Sequence, residues 1–105
     1  MSKGLFVSIA ALAMVSATQV GAQDADVGEK LYKKSCRSCH GPTAKGMASF
    51  PKLAGNTEDY LVERLNKYRA GEKVGPNTAL MVPRAKNLSD DDITNIVTFI
   101  VSISP

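Results

Sequence analysis

A chain of 105 residues, 44% hydrophobic and 22% charged with a formal net charge of +3, has room for one small domain. That charge balance does not point to nucleic acid, and no run of basic residues interleaves with aromatics. The two cysteines, Cys36 and Cys39, are too close for a stabilising disulfide, because the bridge would close almost no loop.

The first segment reads as a secretory leader covering residues 1–22. Lys3 supplies a positive start, Leu5 to Val15 an apolar run broken only by Ser8, and Val20-Gly21-Ala22 the small residues of a cleavage site. The apolar run gives way to Ser16, Thr18 and Gln19, short of the ~20 residues a membrane span needs. An uncleaved N-terminal anchor is the alternative. The mature chain is then residues 23–105, beginning near Gln23 or Asp24, with 12 basic residues against 10 acids. A domain of roughly 80 residues has a marginal core and usually carries a staple, here a bound prosthetic group in place of a disulfide.

Three helices follow in order. The first is expected over about Asp26 to Ser35: Asp26 with Glu29 three later resembles a capping box, and Val27/Leu31 and Gly28/Tyr32 are i,i+4 pairs. The second begins after Asn56 or Thr57 with Glu58 and Asp59 at its positive end. Tyr60, Leu61, Leu65 and Tyr68 give it an apolar face, and Gly71 stops it. The third follows Ser89, with Asp92 three later and Ile93, Ile96, Val97, Ile100 and Ile103 at helical spacing. Thr94, Asn95, Thr98 and Ser102 interrupt this last stretch, so it is not a membrane span. Between the helices lie two expected loops, Gly41 to Gly55 and Glu72 to Leu88, both rich in Gly and Pro. Loops this long in a small domain need something to pack against.

Cys36-Arg37-Ser38-Cys39-His40 is the strongest signal in the chain. Cys-x-x-Cys-His is the attachment pattern of a c-type haem: each thiol adds across one vinyl group, and the histidine that follows comes under the iron as an axial ligand. His40 is the single histidine, so no other histidine competes for that position. A thioredoxin-like pair belongs beside a βαβ pattern, which the sequence lacks, and a zinc site would have three nitrogen and sulfur ligands with no second cluster to complete it. For a sixth ligand, Met1 and Met14 leave with the leader, which leaves Met47 and Met81. Met47 lies seven residues after His40, in a loop that must first wrap one haem edge, whereas Met81 has the reach to cross to the other face. Asn77 and Lys86 are weaker alternatives.

From Asp26 to Ile103 the chain resembles a small bacterial class I cytochrome c. Besides the Cys-x-x-Cys-His, Phe50-Pro51-Lys52-Leu53-Ala54-Gly55 resembles that family's Pro-x-Leu-Ala-Gly segment. Met81 followed by Leu88-Ser89-Asp90-Asp91-Asp92-Ile93 resembles its ligand methionine and the start of its last helix. The resemblance implies an all-α cytochrome c fold, with three main helices and long loops enclosing one covalently bound haem c. It implies that the Pro51 carbonyl accepts a hydrogen bond from His40, fixing the ring. It also implies that the first and last helices cross at Gly28 and Tyr32 against Ile96 and Phe99, and that Tyr68 either reaches a propionate or fills core.

The function expected is single-electron transfer in a periplasmic respiratory or dehydrogenase chain, with His40 and Met81 on iron and no site left for a substrate. Electron exchange would run through one exposed haem edge to other redox proteins, with the chain a monomer or part of a transient complex and no membrane required. A small peroxidase or gas sensor, or an electron-entry subunit of a larger oxidoreductase, are the competing classes. Lys33, Lys34, Arg37, Lys45 and Lys52 flank the attachment segment and could steer an acidic partner.

Overall fold

The computed structural model describes residues 23–104 together with residues 4, 8, 10 and 11. The leader expected over Met1 to Ala22, with its cleavage site at Val20 to Ala22, otherwise lies outside the described residues. Five helices occur among those described: α1 (Ala25–Ser35), α2 (Arg37–His40), α3 (Glu58–Arg69), α4 (Thr78–Ala85) and α5 (Asp90–Ser102). There is no strand among them, and no described helix is long and apolar enough to cross a membrane.

Each long helix starts where a side chain can satisfy its first free amides. Asp24, extended, caps α1 by accepting from the amides of Asp26 at 2.9 Å and Val27 at 3.2 Å. The expected capping pair Asp26–Glu29 is therefore displaced by two residues. Asp26 sits inside the first turn, and Glu29 is taken by Lys33 in an i,i+4 ion pair of 2.9 Å. Thr57 caps α3 through Tyr60 at 3.2 Å. Ser89 and Asp92 form a reciprocal box at α5, with both hydrogen bonds at 3.0 Å. The end of α3 is closed by Gly71 at φ 79°, which lets the Glu72 amide reach the Lys67 carbonyl and its own amide reach that of Tyr68.

Two helices depart from the expected three. α2 is a single turn, too short to show a period. α4 lies in the expected loop from Glu72 to Leu88 and carries Met81. Pro83 argues against a helix there, because it removes one backbone donor. The carbonyl deprived of that donor belongs to Ala79, which is exposed. The turn before α4 is closed by Thr78, whose hydroxyl accepts from the amides of Val74 and Gly75, both at 2.9 Å.

The core is built on the crossing of α1 and α5. A Cβ placed on Gly28 would come within 1.8 Å of the Asn95 carbonyl oxygen, so no side chain fits there. Four residues further along α1, Tyr32 packs its ring 5.4 Å from that of Phe99. Ile93, Ile96, Val97 and Ile100 of α5 fill the space beneath, joined by Leu61 from α3. Burying an aliphatic side chain of this size contributes about 1.5–3 kcal/mol. Tyr60, expected on the apolar face of α3, is 43% exposed instead and carries the Arg64 guanidinium 5.0 Å above its ring. The face turned inward comes from Leu61, Val62 and Leu65.

Candidate functional site

Cys36 ends α1 and begins α2, its amide still bonded to the Tyr32 carbonyl at 2.8 Å. One turn on, the amides of Cys39 and His40 both return to the Cys36 carbonyl, at 3.3 and 3.0 Å. The two cysteines are not bridged to one another and are half-buried. Burial pushes the Cys36 thiol up to about 11, against the opposing pull of the Arg84 guanidinium on α4.

His40 is buried, 5% exposed, and its Nδ1 lies 2.9 Å from the Pro51 carbonyl oxygen. A carbonyl only accepts, so this contact places the proton on Nδ1 and the lone pair on Nε2. The loop between them is folded to make that contact. The amide of Gly46 donates to the His40 carbonyl at 2.8 Å, and the Ala44 carbonyl accepts from both Leu53 and Ala54 at 2.9 Å. Ala44 is fully buried in the left-handed region at φ 57°, a conformation that costs a non-glycine residue about 1–2 kcal/mol. Nothing in the sequence singles Ala44 out. From the core side, the Tyr32 hydroxyl donates to the Gly41 carbonyl at 2.5 Å. Burial holds that phenol up at about 12, so it remains a donor.

Met47 and Met81 are placed differently. Met47 is 47% exposed and folds back onto Gly41, with its Cε 3.8 Å from where a Cβ on Gly41 would stand. It stays on the loop of His40, in a tight turn with Phe50. Met81 is half-buried on α4. The amide of Asn77 is engaged with the Ser49 carbonyl at 3.1 Å, and Lys86, which ends α4, is exposed. Tyr68 is half-buried on α3.

The donor set suits a haem better than a bare ion. Among the described residues no three His, Cys, Asp or Glu side chains gather as ligands for one metal, so Cys36, Cys39 and His40 do not converge on a point. Two thiols one helical turn apart, beside a histidine oriented through its other nitrogen, are the parts that covalent attachment and axial ligation require. Two grooves of about 480 and 360 Å³ run along α3 and toward α5 and include none of these residues.

An all-α domain with this attachment turn and this oriented histidine defines a covalent-haem protein. The family model for cytochrome c matches residues 25–104. Cytochrome c-554(547) of Halothiobacillus neapolitanus is 38% identical over 90 residues, which cover 78% of this chain and 99% of that one. Cytochrome c-554(548) of Halomonas halodenitrificans is 40% identical over 79 residues, covering 74% and 94%. Among solved structures, the cytochrome c4 of Acidithiobacillus ferrooxidans superposes with a TM-score of 0.66 at 24% identity. That superposition covers 81% of this chain and 52% of the longer c4 chain. The chain belongs to the cytochrome c family of electron carriers, and its cofactor is covalently bound haem c.

Proposed function

We propose that this chain is a single-electron carrier outside the cytoplasm, its haem attached through Cys36 and Cys39 and its iron held by His40 and Met81. The observation that carries the reading is the 2.9 Å contact between His40 Nδ1 and the Pro51 carbonyl, which leaves Nε2 for iron. A bound haem supplies a one-electron iron couple, and a neutral thioether ligand raises its potential. The protein's part is to orient His40 through Pro51 and to hold Met81 on a separate element from His40; with both residues ligating, no iron site would be left for a substrate. Met47 does not serve, because it is folded against Gly41 on the histidine's own loop.

Residues 1–22 act as the cleaved leader of this reading, and covalent haem attachment outside the cytoplasm is consistent with it. Donor and acceptor are other redox proteins, met through a small transient interface.

Two measurements test the assignment. Haem in the purified protein survives acid–acetone extraction, and Cys36→Ala or Cys39→Ala weakens or abolishes stable holoprotein. Met81→Ala lowers the midpoint potential or opens the iron to cyanide, while Met47→Ala does neither. Freely extractable haem in the wild type would refute the attachment, and an unaffected Met81→Ala would move the ligand role elsewhere.

A further inference from the structure

The helix that carries Met81 contributes little to its own stability. α4 has eight residues, loses a backbone hydrogen bond at Pro83, exposes 58% of Leu80 and buries only Ala85 fully. A helix of that length does not stand alone in water. It is instead tied at both ends to other parts of the fold. At its start, Asn77 occupies the capping position but makes no capping hydrogen bond. Its Nδ2 donates 3.1 Å to the Ser49 carbonyl, joining α4 to the loop that orients His40. Past its end, Arg69, the last residue of α3, donates from Nη1 to the Leu88 carbonyl at 3.1 Å. Its Nη2 donates to Asn66 at 2.8 Å and to the Asp90 carboxylate at 2.6 Å. One guanidinium thus joins α3, the α4–α5 connection and the first turn of α5.

We propose that Asn77 and Arg69 are positioning residues that clamp α4 and so set how firmly Met81 is held at the iron. The inference rests on the His40/Met81 reading given above. An external ligand that takes the place of Met81 requires α4 to move away. Its apparent affinity is the intrinsic affinity scaled by the fraction of molecules in which α4 has moved. Removing either tie raises that fraction by the net worth of the lost hydrogen bonds.

The test is an imidazole titration of ferric holoprotein, followed by loss of the methionine–iron charge-transfer band, beside chemical unfolding of each variant. Asn77→Ala and Arg69→Gln each tighten imidazole binding by about fivefold or more, the worth of one or two net hydrogen bonds. Asp90→Asn, at an 89%-exposed carboxylate, keeps the fold if Arg69→Gln does not, and gives a smaller increase of about two- to threefold. Asp24→Ala removes the α1 cap, which bonds no residue of α4, lowers the unfolding midpoint and leaves imidazole affinity within about twofold. Wild-type affinity in Asn77→Ala and in Arg69→Gln or Asp90→Asn would overturn the clamp. So would an Asp24→Ala variant that binds imidazole as tightly as they do, since the effect would then be general destabilisation. A wild-type protein without the band, or a Met81→Ala variant that keeps it, refutes the ligand reading itself and the clamp with it.

Discussion

Replacing Gly28 with alanine tests the helix crossing on which the domain is built. The new Cβ would stand 1.8 Å from the Asn95 carbonyl oxygen and 2.4 Å from its carbon, where real contacts stay beyond 3.0 Å. The obstacle is the backbone of α5 and not a side-chain tip, so it cannot rotate aside. α1 and α5 must part by more than an ångström, loosening Tyr32 from Phe99 and both from Ile96. Overpacking of a core by one methyl group costs about 1–3 kcal/mol, and a backbone obstacle belongs at the top of that range. Alanine returns about 1 kcal/mol of helix propensity, leaving a net loss of roughly 2 kcal/mol. At about 4–8 °C per kcal/mol for a domain this small, the holoprotein should melt roughly 8–16 °C lower. The matched control is Gly75→Ala: Gly75 has nothing within 4 Å of its Cβ position and lies outside the left-handed region. There the same change is neutral or stabilises by about 0.4–1 kcal/mol. The assay is thermal unfolding of both variants by circular dichroism. A Gly28→Ala protein that melts within about 3 °C of wild type would show that the crossing is not as tight as described.

Tyr32→Phe removes one of two donors to the Gly41 carbonyl, which keeps the Ala44 amide at 3.3 Å, and should cost about 0.5–1.5 kcal/mol near neutral pH. The Tyr32 phenol is raised by burial from 10.0 to about 12, so the folded state holds that proton more firmly than the unfolded chain. The associated stability is complete below pH 10 and is lost as pH rises toward 12, and unfolding curves of the phenylalanine variant should lack that alkaline decline. An equal decline in both proteins would remove Tyr32 as its cause. Lys34, Arg37, Lys45 and Lys52 are exposed around the attachment segment, whereas Lys33 is occupied by Glu29. Electron transfer with an acidic partner should slow as salt rises past about 0.1 M, where the screening length is about 10 Å, and Lys34→Glu with Lys52→Glu should slow it at low salt. Stopped-flow rates that ignore both changes would confine these residues to solubility.

What the sequence disclosed follows from how far each signal reaches along the chain. α3 and α5 were legible because cap, period and stop all fall within one stretch, as with Thr57, Leu61 and Gly71, or Ser89, Asp92 and Ile96. The attachment motif was legible because its chemistry demands adjacent residues. Pro51 came through the family resemblance, and the contact with His40 is present in the fold. α4 was hidden by Pro83, whose cost is tolerable because the freed carbonyl reaches solvent, a fact of tertiary placement. The cap of α1 fell on Asp24 rather than Asp26 because a helix takes whichever carboxylate can reach its second and third amides. Ala44 left no trace, since its burial depends on a loop held in a left-handed turn by partners ten residues away. The ties of Asn77 and Arg69 are equally silent, because each spans about 20 residues or more of chain.

The pairing of α1 with α5 also governs when the domain can form. The Asp24 amide meets the Asn95 side chain across 71 residues, and the core residues Ile93 to Ile100 lie within the last stretch of the chain. A nascent chain therefore exposes Gly28 and Tyr32 without a partner until α5 has been made, and closing so long a loop is slow. Throughout that interval Cys36 and Cys39, half-buried once folding is done, stand open on an unfolded segment. The topology thus makes α1 wait on α5, and the attachment segment stays open for as long as that pairing is unmade.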